Sequence, residues 1–157
     1  MILIRIPILL VFILFTGSAC NSDKPFTVAP GQWPWRPTEL KLNELTRFSP
    51  PGKDGERSIE VRVEFIDQAG NPTKAHGMLR LSVIRPGEGD TPWEMGIDLM
   101  DLNLANSRYE PVTRSYMILI RPELEGLVPG RRIRIEASYV GDDGARLNGY
   151  KVLIWPE

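Results

Sequence analysis

The chain has 157 residues, a formal net charge of −1 and 42% hydrophobic residues. That length suits one domain with its own core, and the near-neutral charge excludes the basic surface of a nucleic-acid-binding protein. A single cysteine, Cys20, excludes a disulfide within the chain, so stability must come from apolar burial. One histidine and one cysteine are too few ligands for a zinc site, and we expect no metal and no cofactor.

Residues 1–20 have the layout of a secretory signal. One positive charge, Arg5, precedes an apolar run over residues 6–15, and small residues then lead directly to Cys20. The Gly17-Ser18-Ala19-Cys20 ending resembles the lipobox of bacterial lipoproteins, with glycine where that family usually has leucine. The resemblance implies that the Cys20 sulfur receives a diacylglyceryl group and that the leader, residues 1–19, is removed.

Two other interpretations of this segment stay open. A retained membrane span needs about twenty apolar residues, whereas fourteen residues separate Arg5 from Cys20. A plain cleaved signal would make the cysteine incidental. One acyl chain holds a protein to a bilayer only weakly, and a triacylated Cys20 would anchor it stably. We therefore expect an exported protein that a lipid attaches to the cell membrane or the outer membrane.

Residues 20–37 predict a lipidated, proline-rich tether. Four prolines and a Pro30-Gly31 step disfavour both a helix and strand pairing. Such a segment would span roughly 20 Å as a coil and up to about 50 Å when extended. Trp33 and Trp35 interrupt the tether, and three roles stay open for them: capping the domain, lying at the membrane interface or binding a ligand.

From residue 38 to residue 157 apolar and polar residues alternate with a period of two, which is typical of half-buried strands. Turn residues separate the alternating segments. These segments begin at Leu40, Ile59, Leu79, Trp93, Tyr116, Ile133 and Tyr150. We therefore predict an all-β domain, a single immunoglobulin-like antiparallel β-sandwich of about seven strands and no helix.

Three segments carry finer predictions. The first strand has the pattern to continue through Leu45 to Phe48. The apolar phase slips at Leu99-Met100, which predicts a β-bulge or a strand end. Residues 116–120 are apolar on both faces, which predicts a central strand covered on both sides.

Two turn segments resemble those of prealbumin-like and carboxypeptidase-regulatory-like sandwich modules. Residues 65–72, Phe-Ile-Asp-Gln-Ala-Gly-Asn-Pro, are similar to a strand-D-x-x-G-x-P-strand stretch of those modules. Residues 139–144, Tyr-Val-Gly-Asp-Asp-Gly, are similar to the acidic hairpin near the end of such a domain. The resemblance implies a sandwich fold rather than an activity.

Candidate catalytic and metal-binding residues are few. Nucleophilic catalysis needs a base beside a hydroxyl or thiol, and the single histidine, His76, is expected in a solvated loop. The acidic stretch 88–101 has the oxygen ligands that calcium prefers without a calcium-loop spacing, and calcium binding there stays open. Arg114, Arg121 and the arginines of residues 131–134 could form a basic strip or pair with glutamates across strands.

These observations favour a non-enzymatic adapter of the cell envelope that docks a protein partner through a sheet edge or a loop end. The alternative is a ligand-binding module, for glycan above all. Its aromatic platform would come from Trp33, Trp35, Trp93 and Trp155. A carboxylate-based hydrolase is the third interpretation, and it needs two carboxylates within about 10 Å of each other in a cleft.

Overall fold

The computed structural model describes residues 35–53, 56–85, 92–122 and 128–156. The predicted signal peptide, the lipidation site Cys20 and the tether through Trp33 lie outside the described residues. Within the described ranges, no helix is long and apolar enough to cross a membrane. These ranges contain β1 (Pro37–Leu42), β2 (Arg47–Phe48), β3 (Ile59–Asp67), β4 (Pro72–Thr73), β5 (Gly77–Ile84), β6 (Trp93–Asp98), α1 (Leu102–Arg108), β7 (Tyr109–Glu110), β8 (Ser115–Ile120), β9 (Arg132–Gly141) and β10 (Arg146–Ile154).

The strands form two antiparallel sheets with a shared core. In sheet I the order is β1-β3-β8-β7, and β2 and β4 also pair with β3. In sheet II the order is β10-β9-β5-β6. This arrangement confirms the predicted all-β, immunoglobulin-like sandwich. The seven predicted strands correspond to the seven longer ones, and β2, β4 and β7 add pairings of two residues each.

The core lies between the sheets, where the alternating apolar residues of both sheets meet. In β3 every second side chain is fully buried, namely Ile59, Val61, Val63 and Phe65. Burial of each such side chain contributes about 1.5–3 kcal/mol, because apolar area leaves water. The Phe65 ring packs edge-on against Tyr116 of sheet I and Tyr139 of sheet II, with centroid distances of 5.8 and 4.8 Å. These rings join the two sheets.

β1 ends at Leu42, and the prediction that it continues to Phe48 is wrong. The Asn43 side chain accepts a hydrogen bond from the Leu45 backbone N–H at 2.9 Å. The Thr46 backbone N–H donates to the Asn43 carbonyl at 3.0 Å. An asparagine that bonds to the backbone two residues on closes a turn. The chain therefore returns to sheet I as a separate strand, β2, on the same edge of β3.

The segment after β6 contains a helix, and the prediction of a fold without helices is wrong. β6 ends at Asp98, which is one of the two outcomes expected at the phase slip. The Asp101 carboxylate accepts hydrogen bonds from the N–H groups of Asn103 and Leu104 at 2.9 and 3.2 Å. These bonds satisfy donors that a helix start leaves open, so α1 begins here. Leu102 and Leu104 are spaced as in a strand, and this spacing concealed the helix.

The outer face of β8 is partly exposed, and the prediction of a strand covered on both sides is wrong for the described residues. Ile118 and Ile120 are buried, whereas Met117 and Leu119 are 42% and 46% exposed. Among the strands described, β7 pairs with β8 only at the first two residues of β8, and β3 pairs along its other side. β8 is therefore a border strand over most of its length.

Aspartate and glycine residues close two of the hairpins. In the β3–β4 turn the Asp67 carboxylate accepts hydrogen bonds from two backbone N–H groups at 2.8 and 2.9 Å, and Gly70 has a φ of 82°. In the β9–β10 turn the Asp143 carboxylate accepts one at 3.0 Å, and Gly144 has the same φ. Positive φ favours glycine because it has no Cβ. These are the two turn segments that the sequence singled out.

Candidate functional site

The described tryptophans of the predicted ligand platform lie apart from one another in the structure. Trp93 opens β6 at one edge of sheet II, and Trp155 follows β10 at the other edge; both pack partly buried against the core. The Trp155 ring lies edge-on to Phe48 at 5.0 Å. Trp35 is half-exposed before β1 in sheet I, and Trp33 lies outside the described residues. The described tryptophans therefore form no common platform.

His76 is buried, and the prediction of a solvated loop histidine is wrong. Its Nδ1 lies 3.1 Å from the Asp142 carboxylate. The cause is the close pairing of Gly77 with Gly141 at the end of β9. A Cβ on Gly77 would lie 2.3 Å from the Val140 carbonyl oxygen, so only glycine allows this approach. Because Gly77 is held close to Gly141, His76, the residue before it, is buried as well.

Two tyrosine hydroxyls hold the backbone beside His76. The Tyr139 hydroxyl donates to the His76 carbonyl at 2.8 Å, and the Tyr116 hydroxyl donates to the Ala75 carbonyl at 3.3 Å. Burial raises the pKa of Tyr116 to about 12 and moves the pKa of Tyr139 in the same direction. Both hydroxyls therefore stay neutral donors at ordinary pH. This corner fixes the path of the chain between β4 and β5.

The described part of the acidic stretch, residues 92–101, engages its carboxylates with separate partners. Glu94 lies 3.7 Å from Arg80, and the Asp98 carboxylate accepts the Met100 backbone N–H at 2.9 Å. Asp101 caps α1. Glu88 and Asp90 lie outside the described residues. Within the described ranges, no three His, Cys, Asp or Glu side chains are grouped so that they could hold a metal ion.

The suggested basic strip is divided between the sheets. Arg114 and Arg121 flank β8 of sheet I, whereas Arg132 and Arg134 belong to β9 of sheet II. The Arg134 Nε lies 2.8 Å from a carboxylate oxygen of Glu136. This glutamate is two residues further along the same strand, so the pair is not the cross-strand pairing that the sequence suggested.

The outer face of β10 carries an exposed apolar row. Tyr150, Val152 and Ile154 are 63%, 45% and 61% exposed, and we call these three side chains the apolar row. Alternate residues of a strand point to opposite faces. The residues between them, such as Leu153, pack toward the core. β10 is thus apolar on both faces although only one face is buried.

The backbone of β10 also presents hydrogen-bonding groups on its far edge. Two ladder bonds to β9 bracket the strand: Gly141 N–H to the Ala145 carbonyl at 2.8 Å, and Trp155 N–H to the Arg131 carbonyl at 2.7 Å. In an antiparallel pair only alternate residues bond to the neighbour. The even-numbered residues of β10, which include the apolar row, therefore direct their N–H and C=O groups away from β9. Among the described strands, none pairs with that edge.

β1 of sheet I lies close against β10 at Gly149. A Cβ on Gly149 would lie 2.8 Å from the Leu40 carbonyl oxygen, so a larger residue would displace β1. The Lys151 ammonium donates to the Asn43 carbonyl at 3.2 Å and lies 2.7 Å from the Glu44 carboxylate. Sheet I therefore flanks the middle of β10, and the apolar row continues beyond this contact.

A polar depression of about 180 Å³ lies next to the apolar row on the outer face of sheet II. Its lining includes Ser82, Arg134, Glu136, Ser138, Asn148 and Tyr150, and we call this group the polar depression. Strand pairing brings them together: Glu136 lies opposite both Ser82 and Tyr150, and Ser138 lies opposite Asn148. Opposite residues have Cβ atoms about 5 Å apart.

The largest side chains of the polar depression are held in place. The Arg134 guanidinium lies 4.4 Å from the centroid of the Tyr150 ring and is paired with Glu136. This stacking combines a cation with an aromatic face. Glu136 is the single carboxylate in the described lining, so this depression does not hold the pair of acids that glycoside hydrolysis needs.

Sequence reasoning missed both the apolar row and the polar depression. Tyr150, Val152 and Ile154 were read only as part of an apolar last strand. The available signal was that five of the six residues at positions 150–155 are apolar, so that both faces of this strand carry apolar side chains. Ser82, Ser138 and Asn148 gave no signal, because only strand pairing brings them together.

Comparison with known proteins finds solved structures that are similar to this chain. No protein-family model matches the chain, and no curated protein matches it. Two crystal structures of wild-type OgpA from Akkermansia muciniphila are similar to it, with 15% and 18% sequence identity and TM-scores of 0.44 and 0.45. The similar regions cover 76% and 83% of this chain and 29% and 31% of that chain. The chain thus spans less than a third of the length of OgpA.

Proposed function

We propose that this protein is an exported, lipid-anchored lipoprotein of the cell envelope whose sandwich acts as a non-enzymatic adapter. Cys20 is the anchor, and the apolar row of β10 docks a protein partner. The observation that carries the docking role is the exposure of three neighbouring apolar side chains on a nine-residue border strand. Single exposed apolar residues are ordinary on protein surfaces, whereas contiguous groups mark interaction sites.

The docking route is strand addition to β10. The even-numbered residues offer backbone donors and acceptors to an extended segment, and the apolar row offers contacts for its side chains. Arg132 lies opposite Ile154 on the same face and is exposed. The partner segment is therefore extended, with apolar side chains beside the row and an acidic side chain near Arg132. Main-chain pairing supplies affinity, and these side chains supply the choice of partner.

A photocrosslinking amino acid at position 152 tests the docking surface in the full-length protein in its native cells. We expect a discrete adduct with one protein, and we expect Ile154→Lys to abolish that adduct. Position 112 is the matched control, because Val112 is 90% exposed in the turn between β7 and β8 and lies on the other sheet. The same adducts from both positions, or none from position 152, would contradict the docking role.

A separate measurement tests the anchor. Metabolic labelling with an alkyne-bearing fatty acid should label the wild-type protein and leave Cys20→Ala unlabelled. The position-152 adduct should also disappear from Cys20→Ala if the partner resides in the envelope, because the anchor brings the two together. Equal labelling of both proteins would show that Cys20 is not lipidated, whatever the crosslinking result.

A further inference from the structure

The polar depression differs in chemistry from the apolar row beside it. Three of its side chains are small and polar: Ser82, Ser138 and Asn148. Hydroxyl and amide groups both donate and accept hydrogen bonds. A surface of this kind suits a ligand that also carries many groups able to donate and accept.

The two charged residues of the polar depression neutralise each other. The Arg134 Nε lies 2.8 Å from Glu136, so the pair carries no net charge. A phosphate or sulfate group would meet the Glu136 carboxylate, and a cationic ligand would meet the Arg134 guanidinium. Together the pair offers donors and an acceptor side by side, which matches two adjacent hydroxyl groups of a neutral ligand.

Tyr150 supplies the apolar part of the site. Tyr150 is 63% exposed, and the Arg134 guanidinium, 4.4 Å from the centroid of its ring, holds the ring in position. A rigid aromatic side chain offers contact area at a low cost in conformational entropy. The ring can stack against a ligand face made of C–H groups while the ligand hydroxyls reach the polar side chains.

We infer that the polar depression is a binding site for a neutral saccharide whose ring has equatorial hydroxyl groups. Such a ring presents hydroxyls around its rim and C–H groups on its faces, which is the combination that the lining provides. The site differs from the tryptophan platform expected from the sequence, and it does not depend on the proposed docking. Because the depression is open to solvent, we expect a dissociation constant on the order of 1 mM for one chain end.

The test uses the full-length protein reconstituted in phosphatidylcholine vesicles, which carry no sugar. Binding of radiolabelled cellohexaose and of chitohexaose is measured by sedimentation of the vesicles, up to about 10 mM saccharide. We expect saturable binding of at least one of these β-linked, neutral oligosaccharides. Tyr150→Ala should weaken that binding by about tenfold, because it removes the stacking surface. Tyr150→Phe, which keeps the ring, should bind as the wild type does.

Two further variants separate this site from other surfaces. Ser138→Leu fills the depression from a half-exposed strand position and should abolish binding. Far-ultraviolet circular dichroism would check that this variant folds. Val112→Lys changes an exposed residue of the other sheet and should leave saccharide binding unchanged. Absence of binding by the wild type overturns the inference, and so does binding that survives both Tyr150→Ala and Ser138→Leu. Neither result affects the crosslinking test of the docking surface.

Discussion

The Arg62 network on the outer face of sheet I and the apolar row on the outer face of sheet II differ in how far they are exposed. On sheet I, Arg62 is enclosed by the side chains around it: its guanidinium donates to the carboxylates of Glu60 and Glu110 and to the Thr113 hydroxyl, the latter at 3.1 Å. Another of its nitrogens lies 3.6 Å from the Met117 sulfur. On sheet II the apolar row and the lining of the polar depression face solvent.

This difference separates a network that stabilises the fold from the surface that we propose for docking. The Arg62 network satisfies its charges within the molecule, so a ligand would gain little there and would break existing bonds. In the apolar row most of the surface of Tyr150 and Ile154 stays exposed, and Arg134 stacks on the Tyr150 ring. The contribution of the apolar row to stability is therefore small, and its exposure has meaning chiefly for a partner.

The largest expected effect comes from the inner side of sheet I. Val63→Asp places a charge without a partner at a fully buried position of β3 and should unfold the domain. Circular dichroism and thermal melting would show the loss of a cooperative transition.

Glu64→Gln is the matched control, since Glu64 is the next residue of β3 and faces outward. It should alter stability little. If the two variants behaved alike, the assignment of inner and outer faces to this strand would be wrong.

A smaller effect is expected on the outer side of sheet I. Arg62→Met keeps a long side chain and removes the charge that Glu60 and Glu110 share, which should cost about 2 kcal/mol in urea unfolding at neutral pH. Arg62 holds the pKa of the Glu110 carboxyl below its ordinary value of 4.5. The lowered pKa stabilises the folded state above pH 4.5. This contribution to the free energy of unfolding is lost as the pH falls through the lowered pKa.

The difference in the free energy of unfolding between the wild type and Arg62→Met should therefore become smaller below pH 4.5. A gap that stayed constant from neutral to acid pH would show that the loss comes from packing of the Arg62 side chain rather than from its charge.

The smallest effect on stability is expected on sheet II. Val152→Glu combined with Ile154→Glu changes two exposed side chains of a border strand, where each new carboxylate lies opposite an arginine of β9, Arg134 or Arg132. We expect each change to alter the free energy of unfolding by no more than about 0.5 kcal/mol. The same double variant should lose the crosslinked partner. A loss of stability as large as that of Arg62→Met would show that the apolar row belongs to the contacts that stabilise the fold.

The fold could be predicted where one sequence pattern had one physical meaning. From Ile59 to Phe65, apolar and polar residues alternate over seven positions. This pattern predicted both the strand and the face that is buried. Leu102 and Leu104 have the same spacing, but there the Asp101 carboxylate caps backbone N–H groups and starts a helix. The pattern alone could not decide between these outcomes, because a cap outweighs two apolar residues in a short segment.

The candidate site could be predicted much less well. Ser82 and Ser138 are 56 residues apart in the chain and join the polar depression only because β5 and β9 pair. The burial of His76 depends in the same way on the approach of Gly77 to Gly141. Each of these features follows from strand pairing over a long sequence separation, which a single sequence does not specify.

The direction of β1 relative to β10 has a mechanical consequence. Leu40 lies against Gly149, and the Asn43 carbonyl binds Lys151, so the two strands run the same way along one side of the sandwich. If the proposed anchor and the proposed partner pulled in opposite directions along these strands, the load would reach β1 at its Pro37 end. The backbone hydrogen bonds between β1 and β3 are perpendicular to the strands. A load along β1 would therefore act on all of them at once and would not break them one after another. Such a connection resists force far better than a strand peeled from its end.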